Sequence, residues 1–221
     1  MVSGPANSSS SGSESDRKEP CRKRGEKRAK APLNEAALRD LALSYAARYA
    51  STGARLEAYL ARKVRERGVA EDADGRAAPI DIPALVARLV ELGYVDDAAY
   101  ARSRAIDLGA RGYGAQRVEQ ALWAAGVNEG IRAETAPAEA ARRRAAVLMA
   151  QKRRLGLFGD GREDSADPLS ARKAHEKAVA AMLRAGHDYE HVRFILAAAN
   201  EAAIEEWLDE AADAEGTDGS W

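Results

Sequence analysis

The sequence predicts an all-α fold of tandem three-helix repeats, about nine helices in all, stacked into a curved, elongated array. Three observations carry that prediction. Charged residues make up 31% of the 221 residues and aromatic residues 5%, and alanine and leucine supply most of the apolar content alongside many arginines and glutamates; these types keep most of their side-chain freedom in a helix. Apolar residues recur at helical spacing, and β-branched clusters or period-2 runs are few. Helix stops also recur as a pattern: Arg67-Gly68-Val69, Leu92-Gly93-Tyr94, Ala125-Gly126-Val127 and Ala185-Gly186-His187.

Residues 1–33 are Ser/Gly-rich and then basic (RKEPCRKRGEKRAKA). They cannot bury enough apolar surface to offset the entropy of ordering, which predicts a disordered tail. In ALRDLALSYAARY, Leu38, Leu41, Ala42, Tyr45 and Tyr49 define one apolar helix face. ARLEAYLARKVRERG places Leu56, Tyr59, Leu60, Lys63 and Val64 along a second helix that ends at Gly68. DIPALVARLVELG follows, with Pro83 in the first turn, Leu85, Leu89 and Leu92 on one face, and Gly93 as the stop. Two of these helices repeat in detail: RLEAYL (Arg55–Leu60) and RVEQAL (Arg117–Leu122) share Arg, an aliphatic residue, Glu and Leu at the same offsets. Short helices carrying Ile131 and Val192, Ile195 and Leu196 follow the later stops. Units of roughly 34–92, 95–135 and 137–208 result, none able to bury its apolar face alone. GLFGDGREDSADPLS, residues 156–170, reads as a mobile loop inserted in the third unit. Residues 209–221 read as an acidic flexible tail.

Two motifs imitate catalytic or metal chemistry. The adjacent carboxylates Asp96 and Asp97 follow Gly93-Tyr94-Val95 and precede the apolar-periodic AAYARSRAIDL. With Asp96 as N-cap, its carboxylate accepts free N–H groups of the next helix. Asp97 complements the helix dipole, and Val95 and Tyr100 stand at the spacing of a hydrophobic staple. A metal or acid/base site needs a third acid or a histidine, and none is signalled nearby. His187-Asp-Tyr-Glu190-His191 matches H-x-x-E-H formally. His187 directly follows the stop at Gly186, however, which puts it outside the helix that would have to present both imidazoles to one ion. Gly109, Gly112 and Gly114 lack the preceding strand of a dinucleotide fingerprint and read as a turn. No catalytic constellation, cofactor or metal site is predicted.

Charge is unevenly spread. Residues 1–33 carry eight Lys/Arg against four Asp/Glu, a local +4, and residues 201–221 carry eight acids and no Lys or Arg, a local −8. The net charge of −1 is therefore compatible with a polyanionic partner. The basic surface centres on ARRRAAVLMAQKRRL, with Arg142, Arg143, Arg144, Lys152, Arg153 and Arg154 on one helix whose buried stripe would be Ala141, Ala145, Leu148 and Leu155. Arg102, Arg104, Arg111 and Arg117 in the second unit, and Arg62, Arg65 and Arg67 in the first, extend it. Such a stripe suits a phosphate backbone or an acidic protein groove. Cys21 is the single cysteine, so no intrachain disulfide forms and a reducing cytoplasm is expected. No secretory leader is read at the N-terminus, and no run approaches the roughly 20 apolar residues of a membrane span.

The succession ALSYAARY, RLEAYLARKVRERG, IPALVARLVELGYVDDAAYARSRA and RGYGAQRVEQALWAAGV resembles the regulatory protein RecX family. Its most specific parts are G-Y-V-D-D-x-x-Y-A, with Gly93, Asp96, Asp97 and Tyr100, and G-Y-G-x-Q-R-V. AMLRAGHDYEHVRFIL and the Arg142–Arg154 helix match less closely. Ala115 departs from the proline usual in the family. The resemblance implies a non-enzymatic monomer that binds the RecA recombinase filament on single-stranded DNA. There it would inhibit ATP hydrolysis, strand exchange and the coprotease step of the SOS response, and so act in DNA repair and recombination. The competing expectation is a basic helical module that binds nucleic acid directly.

Overall fold

Short polar side chains in front of each apolar stripe start most of the helices. The computed structural model describes residues 31–71, 74–76, 79–159 and 168–218, the side chains of residues 217 and 218 excepted. The chain divides into Met1–Ala31, of which only Ala31 is described, and Pro32–Trp221, which holds the ten α-helices found among the described residues. These are α1 (Glu35–Ala46), α2 (Gly53–Arg67), α3 (Ile82–Glu91), α4 (Asp97–Ala110), α5 (Ala115–Trp123), α6 (Glu129–Glu134), α7 (Glu139–Arg153), α8 (Pro168–Arg184), α9 (Tyr189–Ala197) and α10 (Glu201–Asp218). No β-strand forms among the described residues; an isolated parallel bridge pairs Leu33 with Val69. Asn34, Thr52, Asp81, Asp96 and Asn128 each accept a backbone N–H of the first turn of α1, α2, α3, α4 and α6, satisfying donors that a helix start leaves free.

Buried residues fall into three clusters. Leu38, Leu56, Leu60, Val86, Leu89 and Val95 form the first, between α1, α2 and α3. Ala101, Leu108, Val118, Leu122 and Val127 form the second, around α4 and α5, with Ile131 of α6 against it. The third gathers Val147, Met149, Met182, Val192, Ile195, Ile204 and Trp207 from α7, α8, α9 and α10.

The seams between clusters are built alike. Ala125 accepts the Thr52 hydroxyl at the start of α2, and an added Cβ at Gly126 would overlap the Ala54 methyl. One unit later, Ala185 accepts the Gly114 N–H at 2.9 Å and Gly186 accepts the Gln116 N–H at 3.2 Å at the start of α5. An added Cβ at Gly186 would overlap the Arg117 backbone. In both seams the loop after the second helix of one unit lies on the N-terminus of the second helix of the unit before it. Gly126 (φ 76°) and Gly186 (φ 90°) meet two demands at once, left-handed backbone and a neighbour in contact.

Several sequence readings shift. Leu33 is not tail but fully buried, its N–H donating to Gly68 and its carbonyl accepting from Ala70; residues 1–30 lie outside the described residues. On α3 the buried face is Val86 and Leu89, while Leu92 is 52% exposed, because the last turn runs out past the core. Residues 156–158 form a 3₁₀ turn and α8 already begins at Pro168, so of the expected loop only 160–167 lie outside the described residues. Residues 209–218 are not a flexible tail: α10 continues to Asp218, with Ala211 buried and Glu215 accepting the Ala140 N–H of α7 at 2.7 Å. The charge count hid the apolar stripe Ile204, Trp207, Ala211 that packs this helix down.

Candidate functional site

The candidate cations part into three groups. Arg142 and Arg143 lie inward on α7. Glu139 pairs with Arg142 at 2.6 Å, with Arg143 at 2.8 Å and with the His191 Nε2 at 2.8 Å. Asp188 adds a second contact to Arg142 at 3.3 Å. Arg143 also donates to the Trp207 carbonyl, and its guanidinium lies 4.6 Å from the centre of the Trp207 ring. Burial by itself would raise the Glu139 carboxyl, but its hydrogen bonds to Arg143 and His191, helped by the charges of His191 and Arg142, hold it below the ordinary value. These two arginines join α7 to α9 and α10. The stripe expected from Ala141, Ala145, Leu148 and Leu155 is displaced, since α7 buries Ala140, Ala145, Ala146, Val147, Met149 and Ala150. A helix packed by neighbours on several sides has no single wet face on which to carry six cations.

Arg104, Arg111 and Arg117 form the second group. They surround a hollow of about 270 Å³ between α4, the turn after it and α5, together with Leu108, Tyr113, Gln120, Ala121 and Ala124. Asp107 reaches Arg104 at 2.8 Å and Arg111 at 3.7 Å. Arg111 also lies over the Tyr113 ring, 5.6 Å from its centre, and Arg117 approaches the Gln120 Oε1 at 3.4 Å. Three guanidiniums against one carboxylate leave the hollow cationic, with its donors oriented in advance by Asp107 and Tyr113. That arrangement fits a phosphate or carboxylate.

The third group is peripheral. Lys152 donates to the Ala110 carbonyl at 3.2 Å, at the C-terminal end of α4 where a cation is favoured. Arg153 is exposed and Arg154 takes a left-handed conformation as the C-cap of α7. Arg102 and Arg144 are exposed on facing edges of a separate groove between α4 and α7.

The signature residues have structural tasks. Gly93 ends the turn after α3, its N–H bonded to Val90 while the Tyr94 N–H bonds to Leu89. Asp96 accepts the Ala99 N–H at 2.8 Å. Asp97 reaches across the first seam and accepts the Gly53 N–H of α2 at 2.9 Å. Tyr100 accepts from Arg55 at 2.6 Å and lies under its guanidinium. Val95 is buried in the first cluster and Tyr100 packs against the second, so these two residues serve the seam between units instead of one staple. His187 and His191 do not converge: one Nε2 faces the Gly112 carbonyl at 3.0 Å and the other faces Glu139. No group of three or more potential metal ligands gathers among the described residues.

Sequence reasoning missed Trp123 and Ile106, which are 69% and 72% exposed. A helical wheel finds both, because Trp123 lies off the Val118/Leu122 stripe of α5 and Ile106 off the Ala101/Leu108 stripe of α4.

No helix among the described residues is long and apolar enough to cross a membrane. No family model matches the sequence. Regulatory protein RecX of Myxococcus xanthus (strain DK1622) is 31% identical over 172 residues, 76% of this chain and 88% of that protein. The crystal structure of RecX from Lactobacillus salivarius superposes with a TM-score of 0.54 at 19% identity, covering 79% of this chain and 96% of that one. The name of the Myxococcus relative is that of a regulator and not of an enzyme. The chain belongs to the regulatory protein RecX family.

Proposed function

We propose that this protein regulates homologous recombination by binding the RecA filament on single-stranded DNA in the cytoplasm and restraining its ATPase, strand-exchange and coprotease activities. Family membership over three quarters of the chain is the observation that carries this reading. The hollow of Arg104, Arg111 and Arg117 supplies a surface for it, since those guanidiniums match the phosphates or carboxylates that a nucleoprotein filament displays. A monomer of three stacked units would set several weak contacts along one filament, and each contact raises the effective concentration of the next. Inhibition by occupancy needs no covalent step from the regulator.

The second reading, a module that binds nucleic acid directly, rests on the same three arginines. RecA dependence separates the two. Titrating the purified protein into RecA bound to single-stranded DNA should suppress ATP hydrolysis at concentrations well below those at which the protein alone shifts the same DNA. Equal concentrations in both assays would replace the filament reading with competition for DNA. The triple variant R104E/R111E/R117E should lose inhibition by roughly tenfold or more, as expected when several charge-assisted contacts invert, with its helical circular dichroism unchanged. Full inhibition by that variant would remove the hollow from the contact surface.

A further inference from the structure

The groove between α4 and α7 shares only Tyr113 with the arginine hollow and encloses about 580 Å³. Its floor is small and apolar: Ala105 and Gly109 from α4, Ala141, Ala145 and Leu148 from α7. Ile106 stands beside it, 72% exposed. Arg102 and Arg144 edge it from opposite helices, and neither has a carboxylate partner among the described residues. The third lining arginine, Arg142, is already paired with Glu139 and Asp188. Glu134 is the only acid among the lining residues. An apolar floor between cationic edges favours a partner with an apolar stripe flanked by carboxylates. It disfavours nucleic acid, which would leave the floor covered by phosphates or water.

The neighbouring side of α7 shows how this helix takes such a partner. There α10 buries Ile204, Trp207 and Ala211 at i, i+3 and i+7. Its carboxylates turn to the edge, with Glu215 on the Ala140 N–H and Glu210 3.7 Å from Arg143. The α4–α7 groove offers the same elements on another side: small residues at helical spacing for close approach, and an arginine on each rim. We infer that it is a docking site for an acidic amphipathic helix of a protein partner, laid between α4 and α7 with its apolar stripe on Ala105, Gly109, Ala141 and Ala145. The inference is independent of the RecA reading and of the arginine hollow.

Gly109 supplies the test. An added Cβ there would meet nothing within 4 Å, so Gly109→Leu fills the groove from a helical position where leucine is also the better helix former. The probe is a fluorescein-labelled peptide of residues 201–216, itself an acidic amphipathic helix, with its Glu and Asp replaced by Lys as control. Anisotropy should report binding of the acidic peptide to the full chain and at least tenfold weaker binding of the Lys peptide. Gly109→Leu and R102E/R144E should each weaken the acidic peptide about tenfold or more, a change of about 1.4 kcal/mol, with thermal melts no lower than wild type. No binding to the wild type, or binding indifferent to both variants, would overturn the inference. So would finding that Gly109→Leu abolishes binding of a single-stranded oligonucleotide or concentration-dependent self-association, because the groove would then belong to nucleic acid or to a second copy.

Discussion

His187 holds the position after the seam glycine that Val127 holds one unit earlier. It is buried and its Nε2 faces the Gly112 carbonyl, which accepts from the ring N–H. Burial pushes the imidazole below its ordinary value of 6.5; the Gly112 carbonyl and Asp188 oppose that push, and repulsion from His191 adds to it. The unfolded chain then takes up a proton that the folded one resists. The contribution of His187 to stability is whole above about pH 6.5 and declines as the pH falls below it. His187→Val should flatten that decline between about pH 7.5 and 5.5, at the cost of the Gly112 bond at the upper end. Urea unfolding at the two pH values would measure it, and equal losses in both proteins would reject the assignment. Glu139, held low by Arg143 and His191, acts in a separate window below about pH 4.5, where protonation would loosen α7 from α9 and α10. Asp97 gives a second test: Asp97→Ala removes the cap on Gly53 and should cost about 1 kcal/mol, read as a shift of the urea midpoint. The sequence announced Asp96 as a cap because that bond lies three residues away. The bond from Asp97 spans 44 residues, and no local pattern records it.

Elements that sit over their own neighbours were readable, and elements defined by distant partners were not. Leu38, Leu56, Leu60 and Leu89 were placed in a core by 3.6-residue spacing alone, and all four are buried. The stripe of α7 was misplaced because α4, α8, α9 and α10 all pack against it, and periodicity finds one face at a time. Arg142 and Arg143 thereby change from surface cations to internal fasteners. Arg143→Ala removes a half-buried ion pair and the stack on Trp207, and should destabilise the fold by about 2 kcal/mol, whereas Arg153→Ala should leave the melt within about 0.5 kcal/mol of wild type. The seams give a sharper element-scale expectation. Gly126→Ala forces a Cβ into the Ala54 methyl at φ 76° and should cost about 2 kcal/mol or more, about 1 of it from the left-handed backbone. At Gly93, where φ is 75° and the turn bonds match those at Gly126 but nothing lies within 4 Å, the same change should cost only the backbone share. A thermal-melt comparison of the two separates seam packing from simple helix termination; equal shifts would mean that the seam bears no load at Gly126.

At the scale of the whole molecule, the arginine hollow and the acids of α10 lie on different helices. The hollow of Arg104, Arg111 and Arg117 belongs to α4 and α5, while eight acids lie between Glu201 and Trp221. Those acids do not weaken the fold, because Ile204 and Trp207 tie α10 to the third cluster and leave Glu205, Glu206 and Asp209 in solvent. Their effect is on encounter. On the proposed reading, a polyanionic filament approaching the arginine hollow would also meet the field of α10, which would oppose it over roughly a Debye length, about 8–10 Å at physiological salt. Neutralising E205Q/E206Q/D209N adds three units of positive charge without touching a buried contact. Association with RecA filaments on single-stranded DNA should therefore quicken severalfold at low salt, while dissociation stays nearly constant, since steering acts on the approach. The difference should shrink toward nothing as salt rises near 1 M, where screening shortens to about 3 Å. Stopped-flow measurement across that range decides the matter. A gain that persists at high salt would mean that α10 touches the filament directly, and no gain at low salt would place the filament contact away from the arginine hollow.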